Sequence, residues 1–167
     1  MIRMLVLDVD GVLTDGGLFY GPDGEQLKRF NVRDGLGIKL LQQAGVTIAI
    51  VSGRSSPALA RRAAELGIAE LHCGVGDKAA VMSALQTRLA TPPADTAAMG
   101  DDLPDLALFA GAALRIAPAD AEPELIAAAD LVTRRAGGHG AVRDAAVHIL
   151  ALNGNAALAG GPTVAHG

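Results

Sequence analysis

Apolar residues along the chain fall into short blocks that repeatedly end in an acidic, hydroxyl or glycine residue. Met4–Val9 (MLVLDV) is a nearly unbroken apolar run that takes in Asp8, the pattern of a strand buried on both faces. Val46–Val51, Glu70–Cys73, Ala97–Met99 and Ala113–Ile116 repeat it, each followed by polar or glycine residues and then by helical spacing. That spacing predicts helices over Gly35–Ala44, Pro57–Leu66, Lys78–Leu89, Pro104–Ala110 and Ala141–Leu152. Their stops are Gly45, Gly67, Pro92-Pro93, Gly111 and Gly154, the glycines suiting left-handed C-caps. Alternation of this kind predicts an α/β fold: a Rossmann-like open parallel sheet with helices on both faces. Ligands of such sheets gather beyond the carboxyl ends of the strands.

One segment breaks the alternation. Leu18–Tyr20, the turn Gly21-Pro22-Asp23-Gly24 and Gln26–Asn31 read as two short strands around a turn, a small β-hairpin flap. No other insertion has the length of a second domain, so residues 1–153 are expected to form one domain. The Gly- and Ala-rich stretch 154–167 is expected to be a flexible C-terminal tail.

Composition narrows the function. A chain of 167 residues buries a core without disulfides or a structural metal, and the single cysteine, Cys73, leaves no intramolecular disulfide and no cysteine-based zinc cluster. No apolar run approaches the roughly 18 residues of a membrane span. The start MIRMLVLDVDGV lacks the flank, apolar block and cleavage site of a secretory signal, so a cytoplasmic protein without membrane partners is expected. A net charge of −4, 2% aromatic residues and scattered Lys and Arg argue against nucleic acid as a partner. An anionic substrate would have to be held by local groups.

Those local groups stand at the strand ends. Asp8-Val9-Asp10-Gly11-Val12 places two carboxylates on one side of an extended chain as the first strand ends. Alone, such a pair also occurs in solvated turns and calcium loops. Here Ser52-Gly53-Arg54 follows the second core strand, Lys78 opens a helix after the next, and Gly100-Asp101-Asp102 with Asp105 follows Ala97–Met99. Acids gathered at one sheet edge repel unless a hard cation neutralises them, which predicts a Mg²⁺ site. Ser52 and Lys78 add a hydroxyl donor and a fixed positive charge, the complement of phosphoryl oxygens.

In this order the four groups resemble the motifs of the haloacid dehalogenase superfamily: DVDGV at Asp8–Val12, Ser52, Lys78 and GDDLPD at Gly100–Asp105. The resemblance covers most of the chain and implies a phosphatase. It makes Asp8 the nucleophile and Asp10 the general acid and then base, with Asp8, Asp10 (through its backbone carbonyl) and Asp101 as the Mg²⁺ ligands. Asp102 and Asp105 look like accessory acids. Holding a proton on Asp10 is expected to require partial burial beside other carboxylates.

FNVRDG at Phe30–Gly35, GGHGAVRD at Gly137–Asp144 and the flap in place of an inserted cap are similar to the capless phosphatases that act on 3-deoxy-D-manno-octulosonate 8-phosphate, an intermediate of lipopolysaccharide synthesis. That resemblance implies a phosphorylated sugar acid as substrate and a homotetramer in which the flap reaches a neighbour's site. Arg54 and Arg143 are the candidates for the sugar carboxylate, since a guanidinium grips it through two parallel hydrogen bonds. An ion pair with Asp34 or Asp144 is the alternative for both. Arg33 carries the same ambiguity, and His139 is a further candidate for substrate contact. The end GGPTVAHG, residues 160–167, departs from the family's more distinctive tail.

Other readings share parts of this pattern. A phosphorelay receiver domain also combines an acceptor Asp, Mg²⁺, a hydroxyl residue and a Lys, but its acid pair follows the first strand and its acceptor the third. Here the second acid cluster comes after Lys78. A sugar-phosphate-binding protein without turnover has no need of both Asp8 and Asp10. A phosphatase of nine-carbon sialic-acid-type 9-phosphates differs little in sequence.

Overall fold

The computed structural model describes residues 1–160. In chain order the strands are β1 (Met4–Leu7), β2 (Phe19–Gly21), β3 (Gly24–Leu27), β4 (Thr47–Val51), β5 (Glu70–His72), β6 (Thr96–Met99), β7 (Leu114–Ala117) and β8 (Leu131–Val132). The helices are α1 (Val32–Gln43), α2 (Pro57–Leu66), α3 (Lys78–Arg88), α4 (Leu106–Phe109), α5 (Pro123–Ala128) and α6 (Ala141–Leu152). Six strands form a parallel sheet in the order β5-β4-β1-β6-β7-β8, and β2 and β3 form a separate antiparallel hairpin.

β1 is buried along its whole length because alternate side chains enter two different cores. Leu5, Leu7 and Val9 pack with Ile38 and Leu41 of α1, Leu59 of α2 and Ile149 of α6, whereas Met4 and Val6 pack with Met82 of α3, Leu108 of α4 and Leu125 of α5. A strand apolar at every position is the consequence of having helices on both faces. β4 and β6 flank β1 in register, with Leu7 opposite Ile50 on one side and Met99 on the other. The chain thus leaves β1 in both directions, and the crevice at such a switch point lies beyond its carboxyl end.

Sequence and structure differ at several boundaries. The second hairpin strand ends at Leu27 rather than Asn31, because the Asn31 side chain turns to accept from Arg33 N at 2.9 Å and caps α1, which starts before the expected Gly35. The helix expected over Pro104–Ala110 divides into a 3₁₀ turn, Leu103–Asp105, and α4. α5 and β8 were not visible in the periodicity. The stretch expected to be a flexible tail continues as a 3₁₀ turn at Ala156–Ala159, with Leu158 and Ala159 packed on the larger core. Residues 161–167, the rest of the expected tail, lie outside the described residues.

Candidate active site

The strand ends deliver the expected side chains to one place. Asp8 follows β1 directly, its N–H still bonded to Met99 O at 3.0 Å, and Asp101 lies two residues beyond β6. Asp77 caps α3 by accepting from Ala80 N at 3.0 Å, which fixes Lys78 as the first residue of that helix. Lys78 is buried and tied on two sides, donating to Asp8 Oδ1 at 2.7 Å and to Asp105 Oδ1 at 2.6 Å. The second oxygen of Asp105 accepts from the backbone N–H groups of Asp101 and Asp102, at 3.0 and 3.4 Å. Asp105 is therefore a hinge between the lysine and the loop that carries Asp101. Asp102 only caps its own turn, accepting from Leu103 N at 2.7 Å.

Carboxylate oxygens of Asp8, Asp101 and Asp105 lie within 4.8 Å of one another. Burial, then the charge of Asp105, pushes the Asp8 carboxyl up to about 6 against the opposing pull of Lys78. Burial, then the charges of Asp8, Asp105 and Asp102, pushes Asp101 up to about 7. Both oxygens of Asp105 are already engaged, so Asp8 and Asp101 are the pair left short of positive charge. Hard oxygen donors at this separation fit Mg²⁺.

Asp10 has different neighbours. Lys28, just past β3, donates to Asp10 Oδ1 at 2.6 Å, and Arg54 Nε faces Asp10 Oδ2 at 3.7 Å. The expected setting of Asp10 beside other carboxylates is thus corrected, because Lys28 of the flap and Arg54 of the loop after β4 face it instead. Arg54 also donates to Tyr20 Oη at 3.1 Å and Glu25 Oε2 at 3.0 Å, so it reaches the site as part of an ion-pair network. Burial works against the Glu25 charge, but the hydrogen bond from Arg54 and the ammonium of Lys28 prevail and hold its carboxyl below the usual range. Ser52 is buried at the end of β4, where its Oγ accepts from Arg54 N at 3.2 Å.

Two glycines let the surrounding loops approach this closely. A Cβ on Gly11 would stand 2.0 Å from Asp101 Oδ2, and one on Gly137 would stand 1.8 Å from Gly11 O. The Gly137–Gly140 loop therefore lies flush against the loop after β1, and Gly138 N donates to Val12 O at 3.0 Å. Asn31 Nδ2 and Arg29 Nη1 each donate to Gly138 O at 3.3 Å, which joins the flap's base to the same loop.

The remaining candidates are Arg143, Arg33 and His139. Arg143 lines a cleft with Arg33, Leu36 and Arg135 that includes none of the site's acids, and its backbone N–H donates to buried Asp34 at 2.9 Å. Neither expected ion pair forms at its guanidinium, since Asp144 pairs with Arg135 at 3.2 Å. His139 is exposed. Residues missed in the sequence are Tyr20, Glu25 and Lys28, all on the flap. A lone Lys in a hairpin carries no mark of being buried.

A parallel sheet with paired acids at its switch point, a lysine between them and a short flap in place of a cap defines a haloacid dehalogenase-like hydrolase, and the family model of that description matches residues 68–144. The 3-deoxy-D-manno-octulosonate 8-phosphate phosphatase of Escherichia coli strain K12 is 44% identical over 163 residues, 98% of this chain and 87% of that protein. Among solved structures, the cobalt-bound phosphatase of that specificity from Haemophilus influenzae superposes with a TM-score of 0.91 at 42% identity, covering 94% of this chain and 92% of the other. The Moraxella catarrhalis enzyme, solved with magnesium, phosphate and a KDO molecule, gives 0.90 at 38% identity, covering 93% and 90%. The chain belongs to the haloacid dehalogenase-like hydrolases and, within them, to the family of these phosphatases.

Proposed function

We propose that the protein is a Mg²⁺-dependent phosphatase that converts 3-deoxy-D-manno-octulosonate 8-phosphate to the free sugar acid and inorganic phosphate. The observation that carries the mechanism is the fixing of Asp8. One oxygen is held by Lys78 at 2.7 Å, and the residue stands at the end of the central strand beside Asp101. The unheld oxygen of Asp8 attacks phosphorus, the bond from phosphorus to the sugar oxygen breaks, and that oxygen takes a proton from Asp10. Water then attacks the aspartyl phosphate, gives its proton to Asp10 and releases phosphate, restoring the Asp8 carboxylate and the protonated acid of Asp10. Asp8, Asp101 and the backbone carbonyl of Asp10 would hold Mg²⁺, which supplies charge stabilisation for the phosphoryl oxygens. Ser52 and Lys78 bind phosphoryl oxygens, and Arg54 receives the substrate carboxylate, a role supported by its approach to Asp10. The position of Arg143 offers no support for a contact within the same subunit.

The flap exposes Leu18, Phe19, Tyr20 and Leu27, an apolar surface that supports assembly through the flap into a homotetramer. Among the described residues no helix is long and apolar enough to cross a membrane. Phosphate release should be measured from eight-carbon and nine-carbon sugar-acid phosphates and from simple hexose phosphates, with and without Mg²⁺. Selective release from the eight-carbon substrate, lost by at least about 1,000-fold in Asp8→Asn, is the expected result. Preference for the nine-carbon ester would overturn the substrate, and no release from any ester would overturn the enzymatic reading. Sedimentation showing a fully active monomer at assay concentration would refute the tetramer.

A further inference from the structure

The flap brings a closed ring of alternating charge to Asp10. Lys28 Nζ donates to Asp10 Oδ1 at 2.6 Å and lies 3.1 Å from Glu25 Oε1, an ionic contact rather than an aligned hydrogen bond. On the other side Arg54 Nη2 donates to Glu25 Oε2 at 3.0 Å while its Nε faces Asp10 Oδ2 at 3.7 Å. Every carboxylate oxygen of Asp10 and Glu25 thus faces one cation.

The two cations are not equivalent. The Lys28 side chain is 1% exposed and that of Arg54 is 43% exposed. A buried ammonium is stable only with its counter-charges in place, so Lys28 is fixed by the pair it bridges. Arg54 is solvated and stands beyond hydrogen-bond distance of Asp10, so it is free to turn to a substrate anion without leaving Asp10 unpaired. The end of a carboxylate side chain rotates in a broad well, and a donor fixed on one oxygen removes that freedom while leaving the other oxygen for the reaction.

We infer that Lys28, braced by Glu25, is the positioning residue of Asp10. It retains Oδ1 so that Oδ2 performs both proton transfers, and it touches no reacting atom. The flap is then part of the catalytic apparatus of its own subunit as well as a surface for assembly. This inference rests on the proposed acid–base role of Asp10.

The test uses p-nitrophenyl phosphate beside the sugar-acid phosphate. The nitrophenolate leaves without a proton, so the first transfer to Asp8 does not need Asp10, whereas hydrolysis of the aspartyl phosphate does. In Lys28→Met the first turnover should persist as a burst of nitrophenolate, followed by steady-state release slowed by about 100-fold. On the sugar-acid phosphate kcat should fall comparably while KM stays within about threefold, and Lys28→Arg should recover part of the loss. Unchanged kcat, a burst lost together with the steady state, or Lys28→Arg no better than Lys28→Met would each overturn the inference. Should Lys28→Met fail to fold, Lys28→Arg and Glu25→Gln decide it, the second expected to lower kcat with KM unmoved and to overturn the inference if kcat is unchanged. Failure of the wild type to release phosphate removes the proposed function itself, whereas normal wild-type turnover beside an unimpaired Lys28→Met removes only the role of Lys28.

Discussion

Two clusters of charge meet at this site, and they are held in opposite ways. At the sheet edge, Asp8, Asp101 and Asp105 share one lysine, and Asp8 and Asp101 are both driven toward the neutral form. At the flap, two carboxylates meet two cations in a ring. The first cluster has too little positive charge, and its Asp8 and Asp101 follow β1 and β6, strands whose backbone is fixed by neighbours on both sides. The second is balanced and takes one acid and one cation from the flap, Glu25 and Lys28, and one of each from the loops after β1 and β4, Asp10 and Arg54. A cluster short of positive charge is prepared for a cation, while a balanced one is prepared to exchange a partner. On the proposed mechanism the first cluster would hold the metal and the second would meet the substrate, with Asp10 belonging to both.

The largest expected effect comes from removing the lysine of the first cluster. Lys78→Met leaves Asp8 and Asp105 buried with no cation between them, and loss of one member of such a group costs about 3–5 kcal/mol. Urea unfolding should show this as a lower midpoint at unchanged slope, with turnover reduced by at least about 100-fold. Lys28→Met should cost less than half as much, since the half-exposed Arg54 still faces both Glu25 and Asp10. Equal losses in the two variants would break the contrast between the clusters.

The same contrast decides what could be read from the sequence. β1, β4 and β6 are apolar on both faces, so their ends, and Asp8, Ser52 and Asp101 with them, are visible as the points where polarity begins. The acids after β6 are less legible. GDDLPD contains three, and nothing in the string says that Asp105 turns back to the amides of Asp101 and Asp102 and takes Lys78. That reversal is made by the 3₁₀ turn Leu103–Asp105, too short to be told in the sequence from the helix that follows it. β8 has two residues and α5 six, too few to establish a period. The hairpin is visible in Gly-Pro-Asp-Gly, but the burial of Lys28 depends on how the flap meets Asp10, a tertiary fact. Arg143 has the right chemistry and follows Gly137–Gly140 closely in sequence, yet the helix carries its guanidinium to a different cleft.

A smaller effect distinguishes the two regions by backbone packing. Gly137→Ala forces a Cβ onto Gly11 O, a backbone atom of the loop that carries Asp10, and should cost about 3 kcal/mol with a parallel loss of turnover. At the flap's turn, a Cβ on Gly24 would meet no heavy atom within 4 Å, and only the φ of +104° opposes a side chain there. Gly24→Ala should cost about 1–2 kcal/mol, the penalty of a left-handed backbone alone. Thermal melts of the two variants under one buffer measure the difference, and a flap variant as damaging as the loop variant would show the hairpin to be as rigid as the sheet edge.

The gentlest test titrates the first cluster. Asp8 and Asp101 have carboxyls raised to about 6 and about 7, above the ordinary value of 3.8 that an unfolded chain retains. Between those values the unfolded chain has released protons that the native protein still holds, so native stability falls as pH rises. The contribution is present in full below about 4 and is lost as pH passes through the raised values. Without Mg²⁺ the melting temperature should therefore drift downward from about pH 5 to about 7.5 relative to Asp101→Asn, which lacks the more strongly raised group. Saturating Mg²⁺ binds only the ionised pair, so its stabilisation should grow over the same interval and cancel the drift. A profile insensitive to both Mg²⁺ and Asp101→Asn would mean that the sheet-edge acids are satisfied as they stand, and the distinction between a cluster awaiting a cation and a balanced one would fail.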